Sequence, residues 1–244
     1  LFARILSSVI ASTVLSLYLI DLGDLRRFAD NARFLLLIFL YSGFWVLYFQ
    51  MFDSVLWYVQ AYVDASPLNN LVNSIFAAVG IGFRWRFDVE HVTVINAGTI
   101  IALQLLVSKI VEKKPALPTM ITGILFGTVG FLVLAISPQI WIFMLGNVIF
   151  SIGEMTAHPK FISYIGQTAP RSRVALYMGY NFLYGVIGAS IAGVLGAHLY
   201  VRVVDQMNQP RLLWLIFAAI GAVTIVGLLL YNRFLAPRTE EVRK

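Results

Sequence analysis

Long apolar runs alternate along the chain with short polar segments. Taking about 20 apolar residues for each bilayer-spanning helix, we find six runs, at 34–60, 91–111, 117–136, 140–165, 174–200 and 212–235. Membrane barrel strands hold only about ten residues, and an open sheet would leave backbone groups unpaired in hydrocarbon. The pattern therefore predicts an all-α, polytopic membrane bundle of six transmembrane helices.

The first 20 residues form a seventh apolar stretch, which carries a polar stripe of serines and a threonine. We expect a membrane crossing here, with packing along the bundle or at the interface as the alternative. The opening "LFARILSSVIAS" has neither an initiator Met nor a basic region before its apolar part, so we expect part of a longer protein rather than a signal peptide. The predicted organisation is a linker with an additional helix at 1–33, a six-helix bundle at 34–236 and a tail at 237–244.

Polar side chains recur with a period of three runs. The first run carries Gln50, Asp53 and Gln60, and the fourth carries Asn147, Glu154, His158 and Lys160. The third and sixth runs hold almost no polar side chains except threonine, which is typical of helices buried in lipid or in a dry core. Two inverted three-helix repeats around a polar cavity would produce this recurrence.

Composition and charge fit a membrane protein. Hydrophobic residues make up 59% of the chain and charged residues 12%, too few to cover a globular surface. The net charge of +6 comes from short basic clusters between the apolar runs, so we predict no nucleic-acid partner. The absence of cysteine excludes disulfides and thiolate metal sites. We expect neither a cofactor nor a metal.

Basic residues divide unequally between the two sides of the predicted bundle. Twelve lie on one side: Arg26, Arg27, Arg33, Lys109, Lys113, Lys114, Arg171, Arg173, Arg233, Arg238, Arg243 and Lys244. Four lie on the other: Arg84, Arg86, Arg202 and Arg211. The positive-inside rule then places both ends of the bundle in the cytoplasm, and we expect a multi-pass plasma-membrane protein. In the outer loop 61–90, "SPLNNLVNSIFAAVG" predicts an amphipathic helix and "FRWRF" predicts contact with headgroups.

The segment "SIGEMTAHPK" (151–160) places charged side chains inside the fourth run. A carboxylate near the bilayer centre costs about 2.5–3.5 kcal/mol to insert and indicates function by default. Because a neighbouring cation or substrate can set its protonation, Glu154 suits proton coupling; a packing hydrogen bond is the alternative. His158, one turn further on, could tune it or could be a structural residue beside Pro159. Lys160 should extend towards the cytoplasmic end.

Further polar and aromatic residues lie at helical spacing and could line the cavity with Glu154. They are Gln50, Asp53 and Trp57 in the first run, Asn147 in the fourth, and Tyr177, Asn181 and Tyr184 in the fifth. The fifth run also holds two ladders of small residues, Gly185, Ala189, Gly193 and Gly188, Ala192, Gly196, which predict a helix-packing face.

An enzyme is not expected. "GEMTAH" differs from the zinc-binding H-E-x-x-H helix because Gly153 replaces the first histidine and His158 stands four residues after the glutamate. No other catalytic arrangement is present in the sequence. A non-transporting membrane subunit remains an alternative, although it would not need ionisable side chains in two repeat-related helices.

Three segments resemble the proton-dependent oligopeptide transporter branch of the major facilitator superfamily. "SGFWVLYFQMFDSVLWYVQ" (42–60) is similar to its seventh helix, "SIGEMTAHPKFISYIGQTAP" (151–170) to its tenth and "YMGYNFLYGVIGASIAG" (177–193) to its eleventh. The family's acidic position in the seventh helix falls near Phe49, so its role would shift to Asp53. The loop "VSKIVEKKPALPT" also lacks the Asp and Arg pattern of the superfamily.

The resemblance implies the C-terminal half of a twelve-helix transporter. It implies alternating access against an N-terminal six-helix half, with protons and a peptide or related small amino compound as substrates. The tenth-helix glutamate of the family, matched by Glu154, would meet the amino group of the peptide. A major facilitator transporter of another small solute is the alternative.

Overall fold

The computed structural model describes residues 25–236, and the predicted helix within 1–20 and the tail 237–244 lie outside this range. Nine α-helices run through the described chain: α1 Leu25–Gln50, α2 Ser54–Tyr62, α3 Ser66–Ala78, α4 His91–Val111, α5 Ala116–Leu134, α6 Ile140–Thr168, α7 Val174–Asn181, α8 Leu183–Leu199 and α9 Pro210–Phe234. A 3₁₀ turn at Arg171–Arg173 precedes α7, and a π-helical turn at Tyr200–Gln206 follows α8. Within residues 25–236, the β structure is one isolated bridge between Asp64 and Gln139.

Six stretches of helix are long and apolar enough to cross a membrane, in agreement with the six predicted runs. Spans 1 to 6 are Asn31–Tyr62, His91–Val111, Ala116–Leu134, Ile140–Thr168, Arg171–Gln206 and Pro210–Phe234. Span 1 consists of most of α1 together with α2, and span 5 contains α7 and α8. The two composite spans are interrupted at Met51–Asp53 and at Phe182.

The principal contacts between spans follow the predicted inverted repeat. Span 1 packs against span 5, and span 4 packs against span 2. Span 3 packs against span 4, span 6 against span 1, and spans 3 and 6 against each other. If spans 1, 2 and 3 are exchanged with spans 4, 5 and 6 in that order, the same set of contacting pairs results. The bundle is therefore built from two inverted three-helix repeats.

Glycines bring the backbones of α5 and α6 into direct contact. A Cβ atom added at Gly153 would lie 2.6 Å from both the carbonyl oxygen of Gly123 and the amide nitrogen of Gly127. A Cβ atom at Gly146 would lie 3.0 Å from the carbonyl oxygen of Gly130. Small residues permit such close helix approach in membranes. This contact fixes the position of α6, the helix that carries Glu154.

The two ladders of small residues in α8 have different surroundings. Gly188 packs against Trp45 and Gly196 against Gln50, so this ladder forms the predicted packing face. Beside Gly185 and Gly193 in the second ladder, the described chain leaves open space. The same contrast exists between whole spans: span 3 is buried by spans 4 and 6, whereas the most apolar part of span 2 is exposed. Span 3 thus has one face in the core, and it keeps an exposed apolar face at Leu125, Phe126 and Leu132.

Candidate functional site

Glu154 lies halfway along span 4, with its side chain only partly covered. Its Oε2 atom accepts a hydrogen bond from Nδ2 of Asn96 on α4, at 3.1 Å. The same amide nitrogen also donates to Oγ of Ser151, at 2.9 Å. Within the described chain, this amide is the hydrogen-bond donor to the carboxylate. The carboxylate of Glu154 therefore has one hydrogen-bond donor within the described chain, and this donor is a neutral amide.

Lys160, the nearest basic residue along α6, is directed away from Glu154. Its Nζ atom donates to the carbonyl oxygens of Glu112, at 3.1 Å, and Lys114, at 2.9 Å. The side chain reaches the segment between spans 2 and 3, where it is buried. Its predicted extension towards the cytoplasmic end stays a prediction. A cation at this place satisfies free carbonyl groups at the C-terminal end of α4. Its role is structural.

His158 enters an aromatic cluster one turn beyond Glu154. Its Nδ1 atom lies 3.4 Å from the hydroxyl group of Tyr41. The imidazole ring centroid is 5.6 Å from that of Trp45 and 5.7 Å from that of Tyr184, both edge-on. Tyr41 in turn stacks on Phe161 at 3.9 Å. The cluster joins spans 1, 4 and 5, so the structural alternative for His158 has direct support from these contacts.

Gln50 has a packing role at the end of α1. Its side chain is fully buried. Its Nε2 atom donates to the carbonyl oxygen of Ala192, at 3.0 Å, and its Oε1 atom accepts from Oγ of Ser54, at 2.5 Å. The amide fits into the gap left by Gly196. These contacts fasten the interruption of span 1 to α8, and they support a packing role for Gln50; its place in the cavity stays a prediction.

Gln50, Asp53 and Trp57 were predicted to line one face of a continuous helix. In the structure they do not share a face. The helix is interrupted at Met51–Asp53, so the spacing i, i+3, i+7 does not hold across these residues. Asp53 is exposed at the start of α2, where its side chain makes no capping hydrogen bond. Trp57 is 46% exposed, and its ring lies edge-on to Tyr200 at 5.2 Å.

The remaining predicted residues are buried in separate places. Tyr177 donates from its hydroxyl group to Oδ1 of Asn31, at 2.7 Å, near the start of span 1. Asn181 lies at the interruption of span 5 and donates to the carbonyl oxygen of Met178, at 3.4 Å. Asn147 lies inside α6. Because span 5 is interrupted at Phe182, Tyr177 and Tyr184 join different clusters instead of one cavity face.

An aromatic stripe near Glu154 was not anticipated. It consists of Trp45, Tyr48, Phe49 and Phe52, all partly exposed on α1 and its end. The ring centroid of Tyr48 lies 4.5 Å from that of Trp45, 5.4 Å from that of Phe49 and 5.0 Å from that of Phe52. The ring centroid of Trp45 also lies 5.6 Å from that of His158, which is one turn from Glu154. The spacing i, i+3, i+4, i+7 is visible in the sequence and could have revealed the stripe.

Asn96 is the other contributor that sequence reasoning missed. It is a single amide in an apolar run, so no periodic pattern distinguishes it. The structure also shows no metal site in the described chain, since no three His, Asp or Glu side chains come together there. A carboxylate with one neutral donor, as at Glu154, can accept a proton or an ammonium group.

Comparison with known proteins gives a family and a fold. The sequence pattern described as Major Facilitator Superfamily matches residues 86–244, more than half of the chain. No curated protein matches the chain.

Three solved structures share the fold. The crystal structure of a POT family transporter in complex with a thioalcohol-conjugated peptide is 20% identical, with a TM-score of 0.64, and the match covers 92% of this chain and 44% of that one. Crystal structures of the peptide transporter POT in complex with sulfate, one of them a mutant, are each 15% identical, with TM-scores of 0.65 and coverages of 98% and 52%. The chain thus spans about half the length of these transporters.

Proposed function

The chain belongs to the Major Facilitator Superfamily, and from this premise we propose that it is the C-terminal half of a proton-coupled transporter for peptides or related small amino compounds. An N-terminal six-helix half would complete the transporter, and the two halves would alternate access to a site between them. The proposal is supported by the shared fold of solved peptide transporters and by the length of the chain relative to theirs. The proposal assigns transport rather than catalysis to the chain.

The observation that carries the proposal is the incompletely solvated carboxylate of Glu154. A carboxylate inside a membrane is costly unless a proton or a cation neutralises it. Asn96 supplies one neutral donor, so the carboxylate can accept either a proton or the ammonium group of a substrate. Because a proton and an ammonium group compete for the same carboxylate, binding of one weakens binding of the other. The protonation state of Glu154 would thereby control when the substrate binds. For both to move in the same direction, the displaced proton must pass to a second group, which we assign to the N-terminal half.

The aromatic stripe supports an amino compound that also carries an apolar group. Aromatic faces attract ammonium groups and bind apolar side chains in ligand sites. Trp45, Tyr48, Phe49 and Phe52 offer such faces, and the ring centroid of Trp45 lies 5.6 Å from that of His158, one turn from Glu154.

Phe49 stands near the position where the resembling family has an acidic residue. Asp53, which could take over that role, is exposed at the start of α2, so we assign the coupling within the described chain to Glu154. The replacement by Phe49 also favours the alternative, a transporter of another small solute.

The test is uptake of labelled dialanine into proteoliposomes that contain the full-length protein. With an imposed inward proton gradient, we expect Glu154→Gln to abolish accumulation, because the amide keeps the volume of the side chain and removes its titratable group. Exchange of dialanine across the membrane should survive. Glu90→Gln, the same change at an exposed residue before span 2, should accumulate dialanine normally.

Two results would count against different parts of the proposal. Accumulation by Glu154→Gln with unchanged pH dependence would remove the coupling role and leave a structural hydrogen bond. A wild-type protein that transports no dialanine, but does transport another solute with a proton, would keep the coupling role and replace the substrate class.

We also propose that both ends of the six-span unit face the cytoplasm, in the plasma membrane. The support is the division of basic residues into twelve and four. A tag inserted within residues 67–80 should be accessible from outside intact cells, and a tag after Arg238 only after permeabilisation. Detection of both tags on one side would contradict the six-span topology.

A further inference from the structure

The chain between spans 1 and 2 folds into an ordered unit, defined here as the outer unit, residues 66–87. In this unit, two asparagines of α3 hold the returning chain. The Asn73 side chain donates to the carbonyl oxygen of Trp85, at 2.9 Å, and accepts from its amide nitrogen, at 2.7 Å. Asn69 accepts from the amide nitrogen of Phe87, at 2.7 Å. The side-chain amides pair with the backbone as a neighbouring strand would, so the unit has a defined shape.

The helix α3 has an apolar side, and only part of this side contacts the bundle. Leu68 and Val72 pack into the core. Leu71 and Ile75 lie on the same side of the helix, at spacings of three and four residues, but they are 49% and 55% exposed. The opposite side carries polar residues. Half of the apolar side therefore has no partner in the described chain.

Exposed apolar residues continue beyond the helix. Val79 and Phe83 are each 65% exposed, and Ile81 is 48% exposed. Arg84 and Arg86 follow, also exposed, and they alternate with Trp85 and Phe87, which are more buried. Guanidinium groups suit phosphate, and basic and aromatic side chains concentrate at the headgroup level of membranes.

Both ends of the outer unit are tied to the membrane boundary. Span 1 ends at Tyr62 and α3 begins at Ser66, while the returning chain enters span 2 at His91. The linker of three residues extends at most about 3.6 Å per residue, so α3 begins close to the bilayer surface. An apolar face at this height is within reach of the lipid.

We propose that the outer unit is an interfacial anchor that binds the phospholipid surface of the membrane spanned by the protein. Leu71, Ile75 and Phe83 enter the boundary between headgroups and acyl chains, and Arg84 and Arg86 bind lipid phosphates. The polar side of α3, with Asn70 and Ser74, faces water. This surface is separate from Glu154 and does not depend on which solute is transported.

Spin labels can test the placement directly, because the 244-residue chain has no native cysteine. Single cysteines would be introduced at Ile75, Phe83 and, as the matched control, Ser74, in the full-length protein, with any cysteine outside these 244 residues replaced by serine, in nanodiscs of phosphatidylcholine and phosphatidylglycerol. We expect labels at 75 and 83 to collide more often with oxygen than with a nickel chelate, and the label at 74 to show the reverse. Nickel access at 75 and 83 would overturn the proposal, as would an immobile label shielded from both reagents by the other half of the transporter.

The arginines have their own test. The double variant Arg84→Gln/Arg86→Gln should lower the ratio of oxygen to nickel access at position 83 severalfold in nanodiscs that contain phosphatidylglycerol. Arg202→Gln, an exposed arginine of the π-helical turn, should leave it unchanged. An unchanged ratio in the double variant would overturn the binding of phosphate by these arginines.

Discussion

Gln50 and Glu154 are both polar residues inside membrane spans, yet their surroundings differ. Gln50 is fully buried, and each end of its amide group has a hydrogen-bond partner within the protein. Glu154 is partly exposed, and the described chain gives its two carboxylate oxygens one amide donor. The side chain of Gln50 thus has a hydrogen-bond partner at each end, whereas the carboxylate of Glu154 still has room for further donors.

This difference separates packing from function. Polar side chains within membranes stabilise helix contacts when their hydrogen bonds are complete, whereas an ionisable group with open positions marks a pathway for ions or substrate. We therefore expect changes at Gln50 to act on stability, and changes at Glu154 to act on coupling. The predictions below test each side of this contrast.

The largest effect is expected from Gly153→Ala, which displaces α6 beside Glu154. The new Cβ atom would meet backbone atoms of Gly123 and Gly127 at 2.6 Å, and backbone cannot rotate out of the way. We expect a loss of about 3 kcal/mol or more, at the upper end of overpacking costs, measured as a large drop in the yield of folded protein by size-exclusion chromatography. Gly193→Ala, where the space is open, should behave as the wild type. Equal yields would show that α5 and α6 are not in backbone contact.

Gln50→Leu should come next in size. The change leaves the hydroxyl group of Ser54 without its acceptor and the carbonyl oxygen of Ala192 without its side-chain donor. A cost of about 1–2 kcal/mol is expected for buried polar groups of this kind, seen as a lower midpoint of thermal unfolding in detergent. Gln60→Leu, at an exposed position of α2, is the control. If Gln50→Leu unfolds at the wild-type temperature but fails to transport, Gln50 belongs to the site after all.

Asn96→Leu should strengthen substrate binding, because it removes the donor that stabilises the substrate-free Glu154 carboxylate. A hydrogen bond to a charged group is worth about 1.5–3 kcal/mol, which corresponds to a fall in KM of roughly tenfold. Gln104→Leu changes another amide on α4, one that pairs with Ser108, and should leave KM unaltered. A normal KM for Asn96→Leu, measured by dialanine uptake, would exclude Asn96 from the site.

The spans and their repeat could be predicted from the sequence, because each leaves a pattern of apolar and polar residues along the chain. The thickness of the bilayer sets the length of each apolar run, and the recurrence of polar residues after three runs reveals the repeat. The amphipathic helix in the outer loop was also predicted, and it is α3, Ser66–Ala78. The glycines of α5 and α6 were visible, but their spacing does not tell which helix they contact.

The candidate site was predicted less completely. Helical counting from Gln50 to Trp57 assumed an uninterrupted helix, and Met51–Asp53 contains neither proline nor glycine to warn of the interruption. The same assumption failed at Phe182. Asn96 could not be found because its significance depends on a contact with Glu154 across two helices. A carboxylate in an apolar run can be recognised alone, whereas its partners depend on the fold.

Proton movement during substrate entry tests the central claim most directly. Proteoliposomes of the full-length protein, loaded with a pH-sensitive dye, would receive external dialanine without an imposed gradient. We predict acidification of the interior by the wild type and by Gln50→Leu, in proportion to the dialanine that each takes up, and none by Glu154→Gln. Acidification per dialanine equal to the wild type in Glu154→Gln would contradict the account, because protons would then cross without the carboxylate assigned to carry them.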